Sequence, residues 1–363
     1  FTWGNKQWYV YNVRRNHFDT EWDIIQVVAP DIDYAKGIAE SFFKKDYRDT
    51  FTNIEKVSLK AKDLWQHIIQ NASNNSGGEP GLINESLIQE NFTASYYTNW
   101  IGQNGCTEIT AGAPHDVCCL GNLNLSAFYD ENTNDINYSK MQEVIHIAIR
   151  FLDNILSIND YPMPEIKSSS SRGRRIGLGF TGFAHLLIKM GIRYGSDKCL
   201  NFMDRFMSTM RNESYKASIN LAKEKGSFPA FKAEQHLKNT YIKKLPSSIQ
   251  RNILKYGLRN VAINMLAPCG TTSIILNTSS SLEPIFAPVY KRKYRKGETL
   301  YQEILVDPLF EEYLKKNEVP DHFVGAYDIS VEEHLKVLST AQNYLCMSIS
   351  KTCNLPKDFT IPI

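Results

Sequence analysis

The stretch WIGQNGCTEITAGAPHDVCCLGNLNLSAF, residues 100–128, decides how the chain is read. Asn104, Cys106 and Glu108 occupy alternate positions in it, and the vicinal pair Cys118 and Cys119 follows downstream. In an extended segment successive side chains point to opposite faces, so this spacing predicts an amide, a thiol and a carboxylate side by side on one face.

Cysteine serves chemistry in few ways. A zinc site wants C-x2-C pairs or histidines at ligand spacing, and Cys118 and Cys119 with a lone His115 do not give four ligands, so no metal is expected. A thiolate nucleophile wants cationic surroundings, yet from Asn91 to Pro114 there is no Lys, Arg or His. A neutral thiol at Cys106 suits hydrogen-atom chemistry, with Glu108 as general base for a neighbouring hydroxyl and Asn104 orienting that hydroxyl. The competing reading is three turn and edge residues around a buried thiol.

The chain has 363 residues, 42% hydrophobic and 22% charged, which describes a globular protein with a large core. A formal charge of +2 creates no field that demands nucleic acid or an anionic membrane. The basic run YKRKYRKGE, residues 290–298, is read as a solvated loop. No apolar run approaches a membrane span and FTWGNKQWYV has no signal-peptide form, so a cytoplasmic protein is expected. Seven cysteines on irregular spacings argue against a disulfide framework.

Residues 7–44 read as strand, strand, helix, in KQWYVYNVRR, WDIIQVVAP and DYAKGIAESFFKK; this gives a small α+β unit over 1–50 and a second region over 51–363. An amphipathic helix is predicted over 58–72, a long one over 138–158 and another over roughly 196–224. SSSSRGRR, after the break at DYPMPE, is read as a loop leading into IGLGFTGFAHLLIKMG, which starts as a strand and becomes a helix closed by Gly191. RNVAINMLAPCGTTSIIL reads strand, turn, helix, and Ser330 with Glu333 forms a capping box for a last helix. Strands alternating with helices imply an α/β fold, a largely parallel sheet or barrel.

NGCTEI followed by VCCLGNLNLSAF resembles the active-site segment of the ribonucleotide reductase large subunit, where an N-x-C-x-E loop precedes a strand carrying V-C-x-L-G. YPMPEIKSSSSRGRRIGLGFTGFAHLLIKMGIRYGS, LAPCGTTSIILNTSSSLEPIFAPVYKRKY and YLCMSISKTCNLP resemble later blocks of that family in the same order, from about residue 58 to 357. The wording is closer to the adenosylcobalamin-dependent class than to the class whose radical comes from a separate metal-bearing subunit.

The resemblance implies part of the family's ten-stranded α/β barrel over residues 51–363, and deoxyribonucleotide synthesis by thiyl-radical chemistry. It implies that Cys106 becomes the radical that takes the 3′ hydrogen of a ribonucleotide, that Glu108 takes the 3′-hydroxyl proton, and that Asn104 holds the sugar hydroxyls. Cys118 falls on a reducing cysteine that ends in a disulfide, while Cys119 stands where the family has Asn. Cys269, Gly270, Thr271, Thr272 and Ser273 would receive the substrate phosphate at a helix N-terminus, against a plain capping turn as the alternative. Cys199, Cys346 and Cys353 are read as buried small apolar residues.

The family's second reducing cysteine precedes the N-x-C-x-E loop, and no cysteine precedes Cys106 here; residues 1–45 carry no resemblance. The expectation is one piece of a split reductase, completed by a complementary chain that supplies the missing strands and cysteine, and re-reduced by a thioredoxin- or glutaredoxin-type protein. A non-catalytic remnant that binds nucleotide or a partner subunit is the alternative.

Overall fold

A computed structural model describes residues 83–113, 115–297 and 299–355, together with 65–66, 68–70 and the backbone of strands at 2–3, 6–7, 9–17, 20–29 and 50–57. The chain divides into two compact units, residues 1–87 with 360–363, and residues 88–359.

In the first unit β1 (Tyr9–His17) pairs antiparallel with β2 (Thr20–Ala29) on one side and β3 (Thr50–Val57) on the other. The two predicted strands are therefore present and gain a third. The predicted helix in DYAKGIAESFFKK lies outside the described residues, as does most of the helix over 58–72, of which 65–66 and 68–70 are helical.

Early in the second unit, after the helix Glu85–Asn91, comes a hairpin, β4 (Gly102–Gln103) and β5 (Thr110–Ala111), which continues into β6 (Cys119–Asn124). The helix α1 (Tyr138–Ile158) then crosses back. It buries Met141, Ile145, Ile149, Leu152 and Leu156, a stripe at helical spacing, and the Asn137 side chain caps it by accepting from Lys140 N.

The segment read as a Ser/Arg loop is mostly helix, α2 (Pro164–Gly173). Serine is a poor helix former, but Pro164 at the first turn, Glu165 at the positive end and Arg172 at the negative end favour the helix. Tertiary contact completes it: Gly173 lies so close to the Tyr97 hydroxyl that a Cβ there would sit 2.7 Å away. Arg174 then takes the left-handed region at φ 48° and stops the helix.

Next come β7 (Ile176–Thr181) and α3 (Phe183–Lys189), followed by the long α4 (Asp197–Lys225), capped by Ser196 and closed at Gly226, and α5 (Ser247–Tyr256). β7 runs parallel to β6 with Ile176 opposite Cys119 and Thr181 opposite Asn124. Residues 262–266 run parallel to β7 through Ile176 N to Ala262 O and Leu178 N to Ile263 O, and residues 347–350 run parallel to those through Leu266 N and Ser350 N. Ile263 N and Asn264 N also donate to the buried Cys346 thiol, which ties the third segment to the fourth.

The α/β expectation holds. Among the described residues these four segments lie parallel in chain order and form an open run, not a closed barrel, and a separate parallel bridge joins Ile285 to Gly325.

β6 and β7 have one face under helix α1. Ile176, Leu178 and Phe180 are almost wholly buried, and a Cβ at Gly121 would touch Leu152 of α1. The other face carries Cys118, Leu120, Asn122 and Asn124 beside Gly177 and Gly179. A side chain at Gly179 would meet Met265 O at 2.6 Å, so backbone approaches closely there.

Beyond the short helix α6 (Gly270–Ile275), the basic run read as a loop is a strand, β8 (Val289–Lys296), paired antiparallel with β9 (Thr299–Val306). Tyr294 stacks on Tyr301 across the pair, the kind of aromatic cross-strand contact that offsets the charge of the run. Two further helices follow, α7 (Pro308–Lys316) and α8 (Val331–Gln342), the latter with the predicted Ser330–Glu333 capping box. No helix among the described residues is long and apolar enough to cross a membrane.

Asp153, with no exposed surface, accepts from Arg174 Nε at 2.8 Å, Arg259 Nε at 3.2 Å and Asn260 Nδ2 at 3.1 Å. Burial pushes its pKa up, but the bonds and charges of Arg174 and Arg259 outweigh burial and hold it below the usual carboxylate value. A depressed carboxylate stabilises above its unfolded pKa, and that share is lost as pH falls through the folded one. Asp153→Ala is expected to lower the unfolding free energy by about 3–5 kcal/mol. In denaturant titrations Asp153→Asn should also show less loss of stability than wild type on acidification below about pH 4; equal pH dependence would show that the pair carries no linkage.

Candidate active site

The stretch from Asn104 to Ile109 is not the extended segment its alternation predicts. Gly102 pairs with Ala111 and Gln103 with Thr110, so residues 104–109 form the loop of a hairpin. Thr107 N donates to Asn104 O at 2.9 Å, Thr107 takes φ 67°, and the Asn104 side-chain oxygen accepts from Ile109 N at 3.0 Å. With its amide turned so that nitrogen rather than oxygen faces these acceptors, Gln103 donates to the carbonyls of Thr107 and Ile109, each at 2.8 Å. An asparagine that satisfies its own loop competes with a strand ladder, which is why the period-two pattern misleads. The result separates the three groups by burial. Cys106 is exposed at the tip, Asn104 is half-buried, and Glu108 is 2% exposed.

Glu108 is anchored by its backbone, whose carbonyl accepts from Ser348 N at 2.9 Å. One carboxylate oxygen, Oε2, is buried with no protein partner. Burial and then the charge of Glu108 push the Cys269 thiol up to about 11, so the hairpin lies beside the turn that opens α6. In that turn Cys269 has φ 57° and its thiol faces Ala267 O at 3.2 Å. Ser273 Oγ is engaged by Gly270 O and Ser280 Oγ. Of the five residues expected to receive phosphate, Gly270, Thr271 and Thr272 are exposed, whereas the side chains of Cys269 and Ser273 are turned inward.

Cys118 leads into β6 on the face that carries Leu120 and Asn122, and a Cβ at Gly177 would sit 3.0 Å from its sulfur. Burial raises its pKa well above the ordinary thiol value, and the Arg175 guanidinium opposes burial without overcoming it. Cys119 begins the strand on the opposite face, so the adjacent thiols point apart. All seven cysteines are free thiols, and Cys353, read as buried, is exposed, while Cys199 and Cys346 are buried. Among the described residues no cluster of His, Cys, Asp or Glu is arranged to hold a metal.

Sequence reasoning missed Gln103 and Asp116, which tie the loop together locally, and Arg175 and Ser348, which reach it from far along the chain. The one available signal was Asp116, an acid placed two residues before Cys118.

A family model described as ribonucleotide reductase, barrel domain, matches residues 5–362, so the opening unit, which showed no resemblance by eye, lies within the match. A vitamin B12-dependent ribonucleoside-diphosphate reductase of Thermoplasma acidophilum is 31% identical over 355 residues, covering 89% of this chain and 43% of that protein. A protein of the same description from Mycobacterium tuberculosis is 25% identical over 360 residues, covering 92% and 49%. The ribonucleoside-diphosphate reductase subunit alpha of Chlamydia pneumoniae is 28% identical over 295 residues, covering 68% and 28%. The chain thus spans about half the length of the first two relatives.

Alkylation followed by peptide mass spectrometry is expected to modify Cys106 first near neutral pH, because it is exposed, with Cys353, also exposed, slowed by a pKa that desolvation raises. Cys118 should lag until the solution becomes strongly alkaline, since a thiol with a raised pKa stays protonated and unreactive below it. Cys118 is half-buried, so early labelling would contradict its raised pKa.

Proposed function

The chain belongs to the ribonucleotide reductase barrel family, and from that premise we propose that it carries the radical thiol, the general base and one reducing thiol of a ribonucleoside-diphosphate reductase. The observation that carries this reading is the buried, unpartnered Glu108 oxygen, in the loop whose tip exposes Cys106 and beside the turn that presents Gly270, Thr271 and Thr272. Buried polar atoms are rarely left unmatched, and a substrate hydroxyl would match this one.

An exposed thiol at a hairpin tip is open to a radical generator from outside the fold, which fits the cofactor implied by the vitamin B12-dependent relatives, adenosylcobalamin. When bound, that cofactor would supply a carbon radical able to take the hydrogen atom of the Cys106 S–H bond. Cys106 then takes the 3′ hydrogen atom of the ribonucleotide while Glu108 accepts the 3′-hydroxyl proton. With the Asn104 oxygen held by Ile109, its amide nitrogen donates to the sugar hydroxyls. The N–H of Gly270 and the hydroxyls of Thr271 and Thr272 receive the phosphate.

Cys118, kept protonated by burial, donates as the 2′ hydroxyl leaves as water, and it ends in a disulfide. Its partner thiol and the remaining barrel strands come from a complementary stretch of reductase, on the same polypeptide or another. A thioredoxin- or glutaredoxin-type protein reopens the disulfide in the cytoplasm.

Deoxynucleotide formation by the protein carrying this chain, given a ribonucleoside diphosphate, adenosylcobalamin and a dithiol, should vanish in Cys106→Ser. In Glu108→Gln it should fall about 10²–10⁴-fold. Product that persists without Cys106 overturns the reading. Product that needs Cys106 but a metal-bearing subunit instead of adenosylcobalamin keeps the reductase and replaces the radical source. Nucleotide binding with no product under either condition identifies a non-catalytic remnant.

A further inference from the structure

Two side chains outside the proposed chemistry join the two segments that bear its cysteines. Arg175 is 4% exposed and stands one residue before β7, while Asp116 lies two residues before Cys118. Arg175 Nη2 meets Asp116 Oδ2 at 2.9 Å, and Nη1 donates to the carbonyl of Thr110. The same Asp116 oxygen accepts from Gly112 N at 2.9 Å. Thr110 is the residue paired with Gln103 where the hairpin loop closes. One guanidinium therefore holds both the return strand of the Cys106 hairpin and the lead into the strand of Cys118.

We infer that Arg175, acting through Asp116, is a positioning residue: it fixes the base of the Cys106 hairpin against the strand of Cys118 and so sets the separation of the two thiols. The inference rests on the proposed roles of Cys106 and Cys118. Its physical basis is the planar fork of arginine, which serves two acceptors in fixed directions at once, whereas a lysine ammonium is a point charge on a flexible stem. The face of Phe92 lies 6.0 Å from the guanidinium carbon and adds a cation–π contact. Arg175 is also the leading influence opposing the effect of burial on Cys118, which places its charge near that sulfur. Groups held a single ångström out of place lose orders of magnitude in rate, so a brace at the hairpin base matters although it touches no substrate.

The test reacts the full chain with bis-maleimides of graded length at alkaline pH and quantifies the Cys106–Cys118 cross-link by peptide mass spectrometry. Wild type should give a yield peaked at one linker length. Arg175→Lys keeps the charge, yet its peak yield should fall about tenfold and spread over several lengths, because one ammonium cannot hold both acceptors. Asp116→Asn, which keeps an acceptor for Gly112 N, should broaden the profile in the same way. Hydrogen exchange in α4 unchanged in both variants marks an intact fold. A Lys variant with the wild-type profile, or a wild type with no preferred length, overturns the inference. Neither readout needs turnover, so failure of the reductase reading would show separately, as a braced hairpin without product. Where turnover is measured, the Arg175→Lys defect should fall on kcat and leave KM unchanged, the split expected when no ground-state contact is lost.

Discussion

Two adjacent arginines, Arg174 and Arg175, each end on a buried carboxylate, and the remaining architecture of the larger unit is arranged around that fact. Arg174 reaches Asp153 on α1, and Arg175 reaches Asp116 ahead of β6. Taking four charged groups out of water is costly, and only good geometry with every remaining polar atom engaged offsets it. Asp153 meets that demand with Arg259 and Asn260 as further donors, and Asn260 also donates to Arg174 O. The end of α2, the start of β7, helix α1 and the third parallel segment must therefore coincide at one place. Slipping β7 by one residue would exchange the two arginines between faces and strand both carboxylates.

The same junction explains how a loop with no regular structure is held in place. The hairpin of residues 102–111 is braced by Arg175 at its base, by Gln103 across its loop and by Ser348 at the Glu108 carbonyl. Rigid elements thus carry a mobile kind of segment into a fixed position, the usual division of labour between scaffold and functional loop. Electrostatics is divided in the same way. The cations sit at the base, where they organise backbone, while burial keeps the thiols of Cys118 and Cys269 protonated. A protonated, partly dry thiol is a hydrogen donor and a poor nucleophile.

Much of this was legible along the chain because the signals are local. The stripe of α1, the Ser330 capping box, the strand-to-helix change at IGLGFTGFAHLL and the turn before α6 rest on periodicity and capping within a few residues, and all of them are present. The errors share a cause. SSSSRGRR has weak helix propensity, yet it is helical because Gly173 packs against Tyr97 and both following arginines find acids distant in sequence. The alternation of Asn104, Cys106 and Glu108 suggested a strand, yet Asn104 spends its side chain on its own loop. The run at 290–298 was charged enough to read as a loop, but its partner strand supplies the apolar and aromatic neighbours it lacks.

By itself, the sequence determined the kind of chemistry available: a neutral thiol, a carboxylate and an amide in one loop, a second thiol at the start of a strand, and a glycine and hydroxyl turn before a helix. Residue types and their spacing carry that information because reactivity belongs to the groups themselves. Only the tertiary structure decided which groups remain available. It exposed Cys106, buried Glu108 with one oxygen unmatched, turned Cys269 and Ser273 inward, and set Cys119 on the face opposite Cys118. Burial and the absence or presence of a partner depend on chain brought in from elsewhere, here residues 175, 261–273 and 346–350, and no local pattern in residues 100–128 encodes them.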